Sequence, residues 1–238
     1  QCAPSNNSTV ADVGTIAHRI LLEGHEDDVV LINADDWRTK DAKNARDEAY
    51  ADGKTPILEK QMPAIRAMVL QAQMFLEETE LAGVLGSGQS EVTVEWQENG
   101  IPCKARPDYI ADGWHISVKT TAANATPALW SRRQLTPMGY DFGLMFYDRG
   151  LKANGLNVQH RILVIEQTAP FGCALIALEP SKAAIADALV TRSFQIWKEC
   201  LSSGKFPGYS NKTHWVEPTP WELGDAETML NEQFQGGQ

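Results

Sequence analysis

The chain has 238 residues, with 21 Lys plus Arg against 31 Asp plus Glu and a formal net charge of −10. Its composition, 43% hydrophobic and 22% charged, is ordinarily globular and excludes the disordered, collagen-like and low-complexity classes. No apolar run nears the roughly 18 to 20 residues that span a bilayer and no cationic-then-apolar leader opens the chain, so a soluble cytoplasmic protein with no membrane partner is expected. The acidic balance excludes a surface that coats nucleic acid throughout, and leaves room for a local basic channel.

From Val13 to Glu23 the residues Val13, Ile16, Ala17, Ile20 and Leu21 recur at helical spacing, and Gly24 ends the helix. Between Glu26 and Asp52 acids outnumber bases, which predicts a solvated helix with flanking loop. Pro56 is expected to start a long helix through about Leu81, with Ile57, Ile65, Met68, Val69, Ala72, Phe75 and Leu76 as its apolar stripe. Gly83 to Gly88 break it. The period then changes to two: Glu91, Thr93 and Glu95 alternate with Val92, Val94 and Trp96, which puts both glutamates on one face of a strand. Asn99-Gly100 is a hairpin turn signal before a second strand, Ile101 to Ile110. Asp112-Gly113 is another, leading into Trp114 to Lys119.

A helical stretch from about Pro127 to Arg149 follows, broken near Pro137. Arg161 to Gln167 and Cys173 to Leu178 read as strands around a Pro170-Phe171-Gly172 turn, and Glu179-Pro180-Ser181 opens a closing amphipathic helix through Leu201. These elements predict one α/β domain over residues 13–203, a mixed central β-sheet flanked by helices. An N-terminal extension, residues 1–12, precedes it. A tail rich in Pro, Gly and polar residues, 204–238, is expected to pack on the domain or fray.

Cys2, Cys103, Cys173 and Cys200 form no C-x-x-C pair and are expected to be reduced, mostly buried thiols. The glycosylation-type matches at Asn6, Asn7 and Asn211 are chance matches without a secretory signal. The histidines do not cluster along the chain, so any metal role for them requires convergence in space.

The chemistry-bearing segment is Cys103-Lys104-Ala105-Arg106-Pro107-Asp108-Tyr109-Ile110, a tight turn, then Ile116-Ser117-Val118-Lys119-Thr120-Thr121. A strand presenting Pro107-Asp108, followed by an adjacent antiparallel strand ending in Lys119, sets a carboxylate beside an ammonium. Such a pair can hold a divalent cation and a water near a phosphodiester.

On these residues the chain resembles the PD-(D/E)XK nuclease superfamily, and specifically phage-type exonucleases related to the RecE nuclease domain and lambda exonuclease. Gly14 to Gly24 is similar to the family's Gly-x-x-x-His helix, Glu91-Val92-Thr93-Val94 to the strand bearing its first carboxylate, and Gly100 to Asp108 to its second motif. Lys119-Thr120-Thr121 is typical, and Ile165 to Phe171 is similar to the strand and turn after its bridging helix. The resemblance implies a restriction-endonuclease-like fold and a Mg2+ or Mn2+ ion held by His18, Glu91, Asp108 and the Val118 carbonyl, with Glu95 the second choice for a carboxylate. Asp108, Lys119, Ser117 and Glu91 would form the catalytic set, and Lys104, Arg106, Arg132, Arg133 and Arg149 the phosphate contacts. It further implies resection of linear double-stranded DNA in phage or prophage recombination within a bacterial cell, a homo-oligomer ring and a single-strand annealing partner. Trp130 reads as a core aromatic in preference to a base-stacking platform.

Two departures stand out. Ser117 occupies the position of a metal-ligating Asp or Glu, and Thr120 to Tyr140 contains no acid to replace it, so that only Asp141 could reach back. In the helix that carries the family's Gln-x-x-x-Tyr pattern, Phe142 and Phe146 stand at those two positions. The alternatives are therefore a catalytically degenerate nuclease fold serving as a DNA-binding or scaffold protein, or a nuclease with another substrate, such as single-stranded DNA or a specific site.

Overall fold

The apolar repeat of Ile16, Ala17 and Leu21 buries one face of the first helix, α1 (Thr9–Glu23), in the computed structural model, which describes residues 9–235. Cys2, the matches at Asn6 and Asn7 and the start of the 1–12 extension lie outside the described residues.

The acidic segment contains more than a helix. Strand β1 (Val29–Ile32) pairs in parallel with β2 (Thr55–Leu58), and helix α2 (Lys40–Ala51) lies between them in the chain, capped by Thr39, whose hydroxyl accepts the Ala42 amide at 3.2 Å. Pro56 thus sits in a buried strand and does not start a helix. The helix begins after a 3₁₀ turn, Glu59–Gln61, as α3 (Met62–Glu77), with Pro63 in its first turn. A four-residue strand is too short to show a period, and proline is at home in either setting, so the sequence does not distinguish the two. Ile65, Met68, Val69, Ala72 and Leu76 are buried on α3 as their spacing predicts.

The expected three-strand meander is divided between two sheets. Strands β3 (Gln89–Ser90), β4 (Val94–Glu98), β5 (Ile101–Ala105), β6 (Tyr109–Ala111) and β7 (Trp114–Thr121) follow in order. β4 and β5 form a separate hairpin across Asn99-Gly100, whose φ angles of 51° and 82° suit an Asn-Gly turn. Pro107, without an N–H, ends the β5 ladder, and β6 joins β3 and β7 instead, turning at Asp112-Gly113 with Ala111 opposite Trp114.

Between β7 and its parallel neighbour β8 (Gln159–Glu166) run helix α4 (Pro127–Trp130), a π-helical turn (Ser131–Leu135) and α5 (Tyr140–Ala153). This is the helical crossover that a parallel pair demands. β9 (Cys173–Ile176) pairs antiparallel with β8 and completes a mixed sheet of order β3-β6-β7-β8-β9. Ile116, Val118, Leu163 and Ile165 pack one face against α1 and α3. Ile162 and Val164 pack the other with Trp130, Leu144 and Phe194, the last from helix α6 (Pro180–Ser203). The β4–β5 hairpin is tied to α5 by Trp96, which lies on bare backbone at Gly150, where a Cβ would meet the ring at 2.6 Å.

The chain divides into two compact units, the second starting at Glu199. That second unit contains a helix absent from the sequence expectation, α7 (Pro220–Gln235). Its start carries a capping box: the Thr219 amide and hydroxyl donate to Glu222 Oε2 at 2.7 and 2.6 Å. The Thr219-Pro220-Trp221-Glu222 pattern was a readable signal inside a Pro- and Gly-rich tail. Cys103, Cys173 and Cys200 are free thiols, but only Cys200 is buried and the other two are partly exposed, and among the described residues no helix is long and apolar enough to cross a membrane.

Candidate active site

The register of β6 with β7, Tyr109 opposite Ile116, brings Asp108 beside Ser117. Asp108 Oδ2 accepts from Ser117 Oγ at 2.9 Å, from the Val118 amide at 2.8 Å and from Lys119 Nζ at 3.2 Å. Lys119 Nζ also donates to Ser117 Oγ at 2.8 Å and to the Val118 carbonyl at 3.0 Å, and stands over the Tyr140 ring. Burial pushes the Asp108 carboxyl up, but the His18 ring, the Lys119 ammonium and the Val118 N–H together outweigh it and hold it well below the usual carboxylate range. The next residue anchors the strand: the buried Tyr109 hydroxyl accepts the Gly86 and Gly88 amides at 2.9 and 2.8 Å.

Two further groups converge on Asp108. Gly14 brings α1 against β7, since a Cβ there would lie 2.7 Å from Thr120 Oγ1. One turn further along α1, His18 Nε2 stands 3.6 Å from Glu91 Oε1 and 3.8 Å from Asp108 Oδ2. Glu91 adopts a left-handed φ of 55° while its amide donates to the Asp108 carbonyl at 3.0 Å. That turn breaks the expected alternation. Glu95 does not share the face of Glu91; it points to solvent and pairs with Lys104 at 3.7 Å. Ligand atoms of His18, Glu91 and Asp108 all lie within 4.8 Å of one another. One imidazole nitrogen and two carboxylate oxygens suit a divalent cation, so the residues fit the metal that the motif implies. His18 and Glu91 border a cleft of about 410 Å³ that is also lined by Gly14, Thr15, Val118, Lys119 and Thr120.

The basic residues separate into distinct settings. Arg106 Nε meets Glu91 Oε2 at 2.6 Å. Lys104 is occupied by Glu95 on the hairpin surface. Arg132 and Arg133 project from the π-helical turn, exposed and without an ion pair among the described residues. Arg149 is not available as a phosphate contact: its guanidinium is bound to Glu98 at 2.6 Å, Asp187 at 2.7 Å and the Thr191 hydroxyl, and its side chain is only 17% exposed. It ties α5 to β4 and α6. Trp130 is a buried core aromatic stacked on Tyr140, centroids 5.7 Å apart.

The departures also find their places. Asp141 does not reach the site; it is buried, paired with Lys182 at 2.7 Å and bonded by Thr136. Phe142 and Phe146 pack into the core, Phe146 against Trp96. Two α5 residues lie near the site: Tyr140, over whose ring Lys119 stands, and Tyr147, one position beyond Phe146, which feels the charges of Asp108 and Glu91. Burial raises the Tyr147 hydroxyl pKa, and those two charges add to that, with Arg106 opposing. Tyr140 and Tyr147, two turns apart on one helix face, were the signal for this register. Below them His115 is fully buried, its Nδ1 2.8 Å from His160 Nδ1, while His160 Nε2 lies 3.1 Å from Asp148. The β7–β8 pairing that joins these histidines is non-local, and nothing in the sequence announced it.

Helices on both faces of a mixed sheet, with Pro107-Asp108 immediately before β6 and Lys119 on the adjoining strand β7, define the PD-(D/E)XK class. Residues 2–219 match the model of the family described as PDDEXK-like domain of unknown function (DUF3799), and the chain belongs to that family. No curated protein matches it. Among solved structures, the crystal structure of a candidate exonuclease from Eubacterium rectale is similar, with a TM-score of 0.56 and 14% identity over 93% of this chain and 81% of that one. A likeness at that identity speaks for the fold: a restriction-endonuclease-like α/β domain.

Proposed function

We propose that the protein is a divalent-metal-dependent DNA nuclease. The observation that carries this reading is the convergence of His18, Glu91 and Asp108 within 4.8 Å, with Lys119 Nζ 3.2 Å from Asp108. His18, Glu91, Asp108 and the Val118 carbonyl would hold Mg2+ or Mn2+, which supplies Lewis-acid polarisation of the phosphodiester. Lys119, fixed by Asp108, Ser117 and Val118, orients the attacking water in line with the leaving oxygen and steadies the charge that develops on the phosphate. Ser117 holds Asp108 and Lys119 together. Arg132 and Arg133 supply backbone contacts. The RecE-type resemblance favours end-directed resection of linear duplex DNA in phage or prophage recombination inside a bacterial cell. A ring of identical subunits and a single-strand annealing partner belong to the same reading and rest on that resemblance.

The second reading, a scaffold that has kept the fold, is favoured by Ser117. Without a carboxylate there, Asp108 and Glu91 are matched by Lys119 and Arg106, and the site carries little surplus negative charge for a metal. Linear duplex incubated with Mg2+ or Mn2+ separates the two. Wild-type cleavage abolished by chelator, and reduced about 100-fold or more in Lys119→Ala, supports the enzyme. An inactive wild type, with activity gained in Ser117→Asp, supports the scaffold.

A further inference from the structure

Glu91 is shared. Its Oε1 faces His18 Nε2 at 3.6 Å, within the proposed metal set, while its Oε2 is taken by Arg106 Nε at 2.6 Å. Two carboxylates, Asp108 and Glu91, stand against two cations, Lys119 and Arg106, and Ser117 adds no charge, so the cluster is balanced as it stands. A carboxylate whose charge is already met by a guanidinium is a poor ligand for a dication, and the guanidinium itself repels the dication.

Lys119 and Arg106 differ in how firmly they are held. Lys119 has three acceptors, Asp108, Ser117 and the Val118 carbonyl, and its side chain is 26% exposed. Arg106 has Glu91 as its only ion-pair partner among the described residues, and its side chain is 66% exposed. An ion pair whose guanidinium is largely exposed is weakened by solvent and exchanges readily, so Arg106 can leave the partly buried Glu91 at modest cost. A backbone phosphate is the acceptor best able to take it, because the guanidinium fork matches phosphate oxygens as well as it matches a carboxylate. Arg106 also directly precedes Pro107-Asp108, so a phosphate that it captures is held beside the site.

We propose that Arg106 is a transferable counter-ion: it occupies Glu91 in the free protein and moves to a DNA phosphate on binding, which frees Glu91 for the metal and makes metal and DNA bind cooperatively. The inference rests on the nuclease reading and adds to it a linkage between the two ligands. Linkage is reciprocal, so DNA raises metal affinity by the same factor as metal raises DNA affinity.

The test is calorimetric titration of Mn2+ into the full chain, with and without a short duplex carrying phosphorothioate linkages, for wild type, Arg106→Gln and Arg106→Lys. Wild type is expected to bind Mn2+ weakly alone and about fivefold or more tightly with duplex. Arg106→Gln is expected to bind Mn2+ about fivefold more tightly than wild type without DNA, and to gain little from duplex. Arg106→Lys, which keeps the charge, should stay near wild type without DNA. If Arg106→Gln binds Mn2+ no better than wild type, or if Arg106→Lys tightens as much as Arg106→Gln, the counter-ion role is wrong while the nuclease reading stands. If no variant binds Mn2+ in either condition, the nuclease reading fails and takes this inference with it.

Discussion

The Ser117 hydroxyl donates to Asp108 Oδ2 at 2.9 Å and accepts from Lys119 Nζ at 2.8 Å, so a neutral group bridges the acid and the base of the site. A carboxylate in its place would sit against Asp108 and add a negative charge that Lys119, already matched by Asp108, does not balance. Ser117→Asp is therefore expected to lower the melting temperature in chelator, by the equivalent of about 1 kcal/mol, and to recover it in Mn2+. Wild type should gain less from Mn2+. Thermal melts with and without metal check this, and equal metal-induced shifts in the two proteins would count against it.

Gly14 is expected to be intolerant of a side chain. A methyl group 2.7 Å from Thr120 Oγ1, itself bonded by Gln167 at 3.0 Å, must either displace that hydroxyl and its hydrogen bond or push α1, with His18, away from β7. Gly14→Ala should cost about 1–3 kcal/mol and weaken Mn2+ binding. Gly143, also helical but with nothing within 4 Å of an added Cβ, provides the contrast: Gly143→Ala should gain about 0.5–1 kcal/mol. Urea denaturation of both variants measures the difference.

Arginines predicted alike from the sequence should behave differently. Arg149→Ala breaks bonds to Glu98, Asp187 and Thr191 in a half-buried setting and is expected to destabilise the fold by about 2 kcal/mol. The double change Arg132→Ala and Arg133→Ala should leave stability within about 0.5 kcal/mol. It should weaken DNA binding across sequences and reduce the salt slope of log K by about 1 to 2. Fluorescence anisotropy over a salt series, beside urea curves, separates the two outcomes.

Legibility followed locality. Asp108 and Lys119 were readable because a two-residue turn at Asp112-Gly113 fixes their register within one hairpin. His18 was readable only through the resemblance of Gly14 to Gly24 to the family's Gly-x-x-x-His helix; the close approach of α1 to β7 at Gly14 is a physical reason for that spacing. Glu95 was misread because a left-handed residue at Glu91 interrupts the alternation that would have paired them. Arg149 was misread because its partners, Glu98 and Asp187, lie far away in the chain and meet it only once β4, α5 and α6 have packed. β1 and β2 were missed because four residues show no period.

Acid should weaken the fold in two stages. Burial, with the His160 charge adding to it, holds His115 down to about 3 from an ordinary 6.5. Between those values the unfolded chain binds a proton that the native protein refuses, so this contribution is complete above pH 6.5 and is lost as pH falls toward 3. Asp108, held below the usual carboxylate range, acts with the same sign, its contribution being lost only as pH falls below that range. Urea midpoints are expected to fall from neutral pH toward about pH 4.5, and to fall less in His115→Leu, which starts from a lower value. A wild-type midpoint that stays flat across this window would show that His115 is not buried neutral.

In the proposed nuclease, His18, Glu91 and Asp108 would hold a divalent cation even though Ser117 contributes no charge. Anomalous diffraction from crystals soaked in Mn2+ together with a short phosphorothioate duplex tests it most directly. An anomalous peak among His18 Nε2, Glu91 Oε1 and Asp108 is expected, and its loss in Asp108→Asn. Duplex bound in the cleft with no anomalous peak among these three residues would contradict it.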